Sequence, residues 1–279
     1  MKLIIDAGAS HSRWVITDAK KTLDDQRLRG VNLTSHEDSI HVIQEYQSVY
    51  SKDVREVHFY GAGMSTASIR SFAKGVFLQK FPSAKILIES DILAACRATS
   101  HNEASIVSIL GTGVNTVLYK ENKIKQSIKS LGHIIAEEGS GYNIGRLIVK
   151  YYLRERMSAE DALLFKAEYL TYGEELISNI YGHSNPKYYV AQFSRFLNQS
   201  STTLKKEILS KNFMGYVKNH VSAIENYQNY KINFVGSIAN RFQQELNSVL
   251  REYDMVANHI IDDPMEKLID YHRQEINNE

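Results

Sequence analysis

Two adjacent carboxylates, Glu137 and Glu138, precede a glycine-serine-glycine turn and an apolar helical pattern in the segment LGHIIAEEGSGYNIGRLIVK, residues 131–150. Acids just before a helix are favoured by the helix dipole, and many of them contact only water. Here the acids stand beside a bare turn, so a ligand with hydroxyl groups could contact both the carboxylates and the helix start. The segment therefore predicts a hydroxyl-binding rim.

Two glycine turns follow apolar β-type runs. In IIDAGASHS, Asp6 ends a strand pattern and Gly8 opens a turn of small residues; LGTGVN at 110–115 repeats this arrangement about a hundred residues later. Backbone N–H groups in such turns can approach an anion closely. Each turn taken alone is also typical of an ordinary hairpin. Their repetition predicts two loops that bind opposite ends of a polyphosphate.

Asp91 lies in ILIESDILAAC, where an apolar strand pattern ends and an apolar helix pattern begins. Asp at this position commonly caps a helix, a contribution of about 1 kcal/mol, although Ser90 could cap instead. A carboxylate at the carboxyl end of a strand is also where a general base for a substrate hydroxyl is expected. Both interpretations fit the sequence.

The elements that position these residues follow an α/β pattern. In the first half, β-type runs alternate with helical spacing at 36–49 and 65–79. The stretch 142–228 is mostly helical, and KINFVGSIA then adds a strand, a Gly-Ser turn and a helix. In HIIDDPMEKLIDYH, Pro264 stands where a first helical turn tolerates proline. This order predicts helices flanking sheets.

Composition excludes several classes of protein. The 279 residues include 33 Lys and Arg against 32 Asp and Glu, so no overall charge favours nucleic acid or an anionic membrane. The single Cys96 leaves no disulfide pair and no cysteine cluster for zinc or iron-sulfur. The apolar run at the start of the chain is too short for a signal peptide, and no run approaches the length of a membrane span. We expect a cytoplasmic protein.

Nine motifs of this chain resemble the BadF/BadG-type ATPase and N-acetylglucosamine kinase-like branch of the actin, hexokinase and Hsp70 superfamily. They occur in the family's order across nearly the whole chain. These motifs are DAGASHS (6–12), GVN (30–32), FYGAG (59–63), ESDILAA (89–95), LGTGVN (110–115), LGHIIAEEGSGYNIG (131–145), NPKYYVAQFSRFL (185–197), FVGSIA (234–239) and DDPMEKLIDYH (262–272).

The resemblance implies an α/β protein of two ribonuclease H-like, actin-like ATPase domains with a nucleotide and a sugar in the cleft between them. The expected domains are 1–104 and 105–263, the second with a helical insertion. A C-terminal helix at about 264–279 is expected to pack back on the first domain.

The resemblance also implies roles for individual residues. Asp6 would hold Mg²⁺, largely through water, and Asp91 would take the proton from the attacking sugar hydroxyl. The expected contacts are Gly8, Ser10, His11, Ser12, Gly111, Thr112 and Gly113 with the phosphates, Gly236 and Ser237 near adenosine, and Asn32, Asn115, Gly132, Glu137 and Gly141 with the sugar.

Several positions depart from the family pattern. His11 replaces the usual lysine of the first loop, so a permanent cation is lost. Val114 replaces a common serine. Glu137 replaces the usual aspartate, and its extra methylene can displace the carboxylate by about 1 Å, which costs about 10²-fold in rate where positioning is strict.

Three functions are therefore compared. The first is an ATP- and Mg²⁺-dependent kinase that phosphorylates the 6-hydroxyl of N-acetylglucosamine or a close relative. The second is a sugar or nucleotide sensor that keeps the site but has lost efficient transfer, as the departures suggest. The third, an ATPase that activates a dehydratase through an iron-sulfur cluster, is disfavoured because Cys96 is the only cysteine. The tyrosine-rich helices are a candidate homodimer face.

Overall fold

The computed structural model describes residues 1–8, 11–31, 36–64, 66–100, 103–169 and 175–278, with the backbone alone for 36–39 and 277–278. The chain forms two compact units. Unit 1 comprises Met1–His101 and Asp263–Glu279, and unit 2 comprises Asn102–Asp262. Each unit contains one five-stranded mixed sheet.

The sheet of unit 1 has a central strand whose apolar run is buried on both faces. Its strands are β1 (Lys2–Ala7), β2 (His11–Thr17), β3 (Thr22–Arg29), β4 (Glu56–Gly61) and β5 (Lys85–Ser90). The order is β3-β2-β1-β4-β5. The strands β1 to β3 form an antiparallel meander, and β4 and β5 run parallel to β1. The carboxyl ends of β1, β4 and β5 therefore meet at one edge of the sheet.

Helices cover the sheet of unit 1. They are α1 (His36–Glu45), α2 (Ala67–Lys80), α3 (Asp91–Thr99) and the C-terminal helix (Met265–Asn278). A short 3-10 turn spans Ser51–Asp53. The Thr66 hydroxyl caps α2 by accepting the Ile69 N–H. The α2 ring of Phe77 packs 6.1 Å from the fully buried Trp14 ring, so α2 closes the core over β2.

The sheet of unit 2 repeats this topology. Its strands are β6 (Ser105–Leu110), β7 (Val114–Lys120), β8 (Lys123–Ser127), β9 (Lys231–Val235) and β10 (Ala257–Ile261), in the order β10-β9-β6-β7-β8. Strands β6 to β8 form an antiparallel meander, and β9 and β10 run parallel to β6. In both units the first strand is central, with its meander on one side and two parallel strands on the other. The predicted α/β fold of two related domains is confirmed.

Most helices of unit 2 lie between β8 and β9. They are α4 (Gly132–Ile135), α5 (Gly141–Leu153), α6 (Ala159–Tyr169), α7 (Leu176–Gly182), α8 (Pro186–Gln192) and α9 (Thr202–Tyr216), followed after β9 by α10 (Ser237–Arg241) and α11 (Gln243–Arg251). Shorter turns span Phe193–Asn198, Val217–Val221 and Tyr227–Asn229. The described helices include none with the length and apolar character needed to cross a membrane.

Candidate functional site

Three carboxylates of unit 1 lie close enough to affect one another. Asp6 is the next-to-last residue of β1, Asp91 begins α3 directly after β5, and Asp263 stands two residues before the C-terminal helix. Three causes together raise the pKa of Asp6 to about 7. Burial is the largest, and the negative charges of Asp263 and Asp91 are the other two. The fold thus brings together two predicted site residues and one acid that the sequence analysis did not assign.

This carboxylate group suits a hydrated cation. A divalent ion relieves the repulsion that raises the pKa of Asp6, and oxygen ligands are those that Mg²⁺ prefers. Within the described ranges, no three His, Cys, Asp or Glu side chains are close enough together to hold a metal by themselves. The contact of Asp6 with Mg²⁺ through water stays a prediction.

Asp91 is the first residue of α3 and does not occupy its N-cap position. Ser90 occupies the N-cap position of α3, but its side chain makes no capping hydrogen bond. The Asp91 Oδ1 atom accepts the N–H of Ile92 at 2.7 Å, so the carboxylate is tied to the helix start. The residue is half-buried at the carboxyl end of the sheet. One of its oxygens accepts a hydrogen bond from the first turn of the helix, and its predicted role as a general base stays a prediction.

The first glycine turn closes tightly around Gly8. Its N–H donates to the His11 carbonyl at 3.0 Å, and a Cβ on Gly8 would lie 3.2 Å from that oxygen. The His11 side chain is exposed. Two predicted contacts, Ser10 with the phosphates and Asn32 with the sugar, lie outside the described residues.

Ser12 belongs to the interior of the sheet. Its hydroxyl is fully buried, donates to the Arg29 carbonyl at 2.7 Å and accepts the Trp14 Nε1–H at 2.8 Å. The only hydrogen of this hydroxyl is therefore used within the sheet, which leaves no donor for a phosphate. The predicted contact of Ser12 with the phosphates therefore does not fit its hydrogen bonds.

Arg13 is a cation of unit 1 that the sequence analysis overlooked. Its guanidinium lies 2.6 Å from carboxylate oxygens of both Asp25 and Glu266, and 3.5 Å from Asp263. The hydrogen bond with Asp25 raises the pKa of Arg13. Arg13 thus links the meander to the start of the C-terminal helix and fixes the position of Asp263.

The second glycine turn brings three predicted segments of unit 2 together. The Gly111 carbonyl accepts the Gly141 N–H at 2.8 Å, and the Thr112 carbonyl accepts the Tyr142 N–H at 3.2 Å. Gly236 has a φ of 116°, and a Cβ there would lie 2.6 Å from the Leu110 carbonyl oxygen. Because positive φ and this contact both require glycine, the 236–237 turn can approach the 111–113 turn closely.

The backbone of the second turn has donors to offer. Its carbonyls at Gly111 and Thr112 hold the start of α5 in place. In the described part of the chain, the N–H groups of Thr112 and Gly113 donate to no backbone acceptor. Such free N–H groups in a glycine turn are suited to an anion.

Glu137 is buried and held from two sides. Its Oε1 accepts from the Lys187 ammonium at 2.7 Å, and its Oε2 accepts the Val114 N–H at 3.0 Å. Only 3% of its side chain is exposed, against 32% for Lys187. Lys187 was missed by the sequence analysis, although its motif NPKYYV was among those that carry the family resemblance.

Two further predicted sugar contacts, Asn115 and Gly132, belong to the same unit. Asn115 follows Val114 in β7 and is half-buried. Gly132 begins α4 with a φ of 75°, and no atom lies within 4 Å of a Cβ placed there. The structure therefore requires glycine here for its backbone conformation and not for close packing.

The acidic turn, residues 137–139, lies against a cluster that we call the polar shelf. The polar shelf consists of Asn212 and Gly215 of α9 and of His220. Asn212 Oδ1 accepts the Gly139 N–H at 3.0 Å, and a Cβ on Gly215 would lie 3.0 Å from Cγ of Glu138. Buried atoms of Asn212, His220 and Glu138 have no hydrogen-bond partner among the described residues. Burial lowers the pKa of His220, although the negative charge of Glu138 acts to raise it. The shelf supports the turn, and the sequence analysis did not predict it.

Solved structures share this fold. A Porphyromonas gingivalis protein with the provisional name N-acetylglucosamine kinase is 26% identical and superimposes with a TM-score of 0.93, over 98% of this chain and 99% of that one. A glucokinase of the ROK family from Streptomyces griseus, solved with glucose and AMPPNP, has a TM-score of 0.59 at 10% identity. It covers all of this chain and 99% of its own, and it shows similarity of fold alone.

One relative is similar in sequence over part of the chain. The N-acetylmuramic acid/N-acetylglucosamine kinase of Clostridium acetobutylicum is 30% identical over 137 residues, which are 47% of this chain and 44% of that kinase. The match therefore spans less than half of the relative's length. The model of the BadF/BadG/BcrA/BcrD ATPase family, in contrast, matches residues 5–270. The chain belongs to the BadF/BadG/BcrA/BcrD ATPase family.

Proposed function

We propose that the protein is an ATP-dependent kinase of an amino sugar, with N-acetylglucosamine as the first candidate substrate and its 6-hydroxyl as the acceptor. The carboxylate group of unit 1 carries this proposal: burial and the charges of Asp263 and Asp91 raise the pKa of Asp6 to about 7, so a cation is favoured there beside a potential base. The names of the Clostridium and Porphyromonas proteins support the choice of sugar.

In unit 1 two acids would have different roles. Asp6, with Asp263 nearby, would hold Mg²⁺ through water, and the ion would neutralise charge on the transferring phosphate. Asp91 would accept the proton of the attacking hydroxyl, for which a half-buried carboxylate at the strand end is suited. Gly8, Ser10 and His11 would contact the terminal phosphates.

In unit 2 the residues around the acidic turn would bind the two substrates. The turn from Gly111 to Gly113 offers backbone N–H groups to a phosphate, and Gly236 with Ser237 would lie near the adenosine. Asn115, Gly132, Glu137 and Gly141 would contact the sugar, and Asn32 of unit 1 would be a further contact. Each Glu137 oxygen already accepts one hydrogen bond and has a second lone pair for a sugar hydroxyl.

A sensor that binds without efficient transfer is the second candidate. It is favoured by His11 in the first glycine turn, because the permanent cation of the family's lysine is missing there and phosphate transfer would be less well supported. An activator that carries an iron-sulfur cluster is less favoured: Cys96 is fully buried within α3, and burial raises the pKa of its thiol.

The test is a turnover assay with purified protein, Mg-ATP and a panel of N-acetylglucosamine, N-acetylmuramic acid, N-acetylmannosamine and glucose. We expect ADP release that depends on an N-acetylated sugar, and phosphorus NMR of the product then identifies the phosphorylated hydroxyl. Tight binding of sugar and nucleotide without turnover would support the sensor. Absence of sugar binding at millimolar concentration, with nucleotide present, would exclude the kinase and a sensor of sugar.

A further inference from the structure

The ammonium of Lys187 lies against the backbone of the second glycine turn. A Cβ placed on Gly113 would fall 2.6 Å from Lys187 Nζ, 3.3 Å from its Cε and 2.9 Å from Glu137 Oε2. Gly113 therefore leaves space that the lysine head group and the glutamate fill together. This places a cation beside the N–H groups of Thr112 and Gly113, which donate to no backbone acceptor in the described ranges.

The donors of Lys187 exceed what Glu137 uses. An ammonium carries three N–H groups, and one of them donates to Glu137 Oε1 at 2.7 Å. Among the described residues, the Lys187 side chain makes no other hydrogen bond or ion pair. A third of the side chain is exposed, whereas Glu137 is almost fully buried. Two donors of a permanent cation thus remain available at an accessible glycine turn.

A counter-ion for a buried carboxylate needs only one of these donors. The ammonium of Lys187 lies against Gly113, where it could also contact an anion bound at the turn. It could then donate to that anion and to Glu137 at the same time. The first glycine turn lacks such a cation, since it carries His11 at the position of the family's lysine.

We propose that Lys187 binds a phosphate oxygen of the nucleotide at the Gly111–Gly113 turn, with its ammonium shared between that oxygen and Glu137. This inference rests on the proposed use of ATP and adds a residue to its phosphate-binding site. The ligand is a nucleoside polyphosphate, and the adenosine portion does not depend on Lys187.

The test compares Lys187→Met with a matched control, Lys205→Met. Lys205 belongs to the same unit, pairs with Glu245 at 2.8 Å and is 31% exposed, against 32% for Lys187. Calorimetry measures binding of AMPPNP with Mg²⁺ and of adenosine to each protein. We expect Lys187→Met to weaken AMPPNP binding about tenfold or more, with adenosine binding and the control changed less than about twofold.

Two further variants distinguish the loss of phosphate binding from a folding defect. Lys187→Arg should retain most of the AMPPNP affinity because it preserves the charge. In the double variant Lys187→Met with Glu137→Gln no buried carboxylate is left unpaired, and AMPPNP binding should still be about tenfold weaker than in Glu137→Gln alone.

Unchanged AMPPNP affinity in the double variant, or equal losses for AMPPNP and adenosine, would overturn the role of Lys187. Failure of the wild type to bind AMPPNP more tightly than adenosine would overturn it as well. None of these measurements involves sugar turnover. A wild type that binds AMPPNP but phosphorylates no sugar would refute the kinase proposal and leave the result for Lys187 intact.

Discussion

At the scale of single residues, the environment decides what each acid can do. Asp6 and Asp91 are both aspartates at strand ends, yet burial raises the pKa of Asp6 to about 7, whereas Asp91 is half-buried and accepts the Ile92 N–H. Under the kinase proposal, the first suits a hydrated cation and the second suits proton transfer.

Asp91→Asn should lower kcat by about 10²-fold or more and change sugar affinity less than about threefold. The amide keeps the shape of the side chain and still accepts the Ile92 N–H, but it cannot take a proton. Coupled ADP release and calorimetry measure the two quantities. Asp53→Asn, at an exposed acid next to the opposite end of the sheet, is the matched control. Turnover near the wild-type rate in Asp91→Asn would remove Asp91 from the mechanism.

At the scale of elements, glycines set how closely helices approach. Gly145 of α5 faces α8, and a Cβ there would lie 1.9 Å from the Val190 carbonyl oxygen. The contact is with backbone, so a side chain can be accommodated only if α8 moves. Because α8 carries Lys187, this contact also controls the distance between Lys187 and Glu137.

Gly145→Ala should destabilise unit 2 by about 1–3 kcal/mol, since overpacking against backbone outweighs the roughly 1 kcal/mol that alanine gains within a helix. AMPPNP affinity should fall with it, because Lys187 is displaced. The control is Gly75→Ala in α2, where no atom lies within 4 Å of a Cβ, and this change should stabilise by up to about 1 kcal/mol. Urea unfolding followed by circular dichroism gives both values. Equal effects of the two substitutions would contradict the close approach of α5 and α8.

At the scale of the whole molecule, a buried network within unit 1 joins the two ends of the chain. The Lys2 ammonium lies 3.6 Å from carboxylate oxygens of both Glu56 and Glu275. The rings of His58 and His272 are 4.1 Å apart between centroids. Unit 1 therefore includes the C-terminal helix, although the whole of unit 2 separates that helix from Thr99 along the chain.

Polar partners complete this network around the two histidines. The Tyr60 hydroxyl bonds His272 Nε2 at 2.8 Å and accepts from Arg97, and Glu275 lies 2.7 Å from His272 Nδ1. Burial lowers the pKa of His272, and it lowers that of His58 to about 4. Burial alone would raise the pKa of Glu275, but its hydrogen bond with His272 and the charge of Lys2 lower it to about 2.

The buried histidines should contribute a loss of stability to unit 1 in acid. Between about pH 6.5 and 4 the unfolded chain binds a proton at His58 that the folded chain does not bind. The free energy of unfolding therefore falls as the pH is lowered. The fall is up to about 1.4 kcal/mol per pH unit for each such proton. Below about pH 4.5 the free energy of unfolding falls further, because the lowered pKa of Glu275 means that the unfolded chain binds this proton before the folded chain does. Asp6 acts in the opposite sense, because its raised pKa favours the folded chain as pH falls below about 7.

The difference between wild type and His58→Gln isolates the histidine contribution. Urea unfolding at pH 7.5 and 5.0, followed by the fluorescence of the single Trp14, reports on unit 1. We expect His58→Gln to lose less stability than the wild type between these two pH values, because glutamine takes up no proton. A decline equal to that of the wild type would show that His58 does not titrate in this window.

The local patterns of the sequence determined the central strands, the helices and the two glycine turns, because apolar periodicity and turn residues act over short distances. They also placed Asp6 and Asp91 at strand ends. They did not reveal β3 and β8, whose alternating polar residues belong to edge strands that have only one neighbour.

Only the tertiary structure decided which of these residues meet. It buried Ser12 on the same face of β2 as Trp14, two positions away, and turned its hydroxyl into the sheet. It also brought Asp263 near Asp6 and Lys187 to Glu137. These partners are 50 or more residues apart along the chain, and periodicity describes the faces of one element. The contacts between elements depend on how whole sheets and helices pack, and that packing is a property of the folded chain.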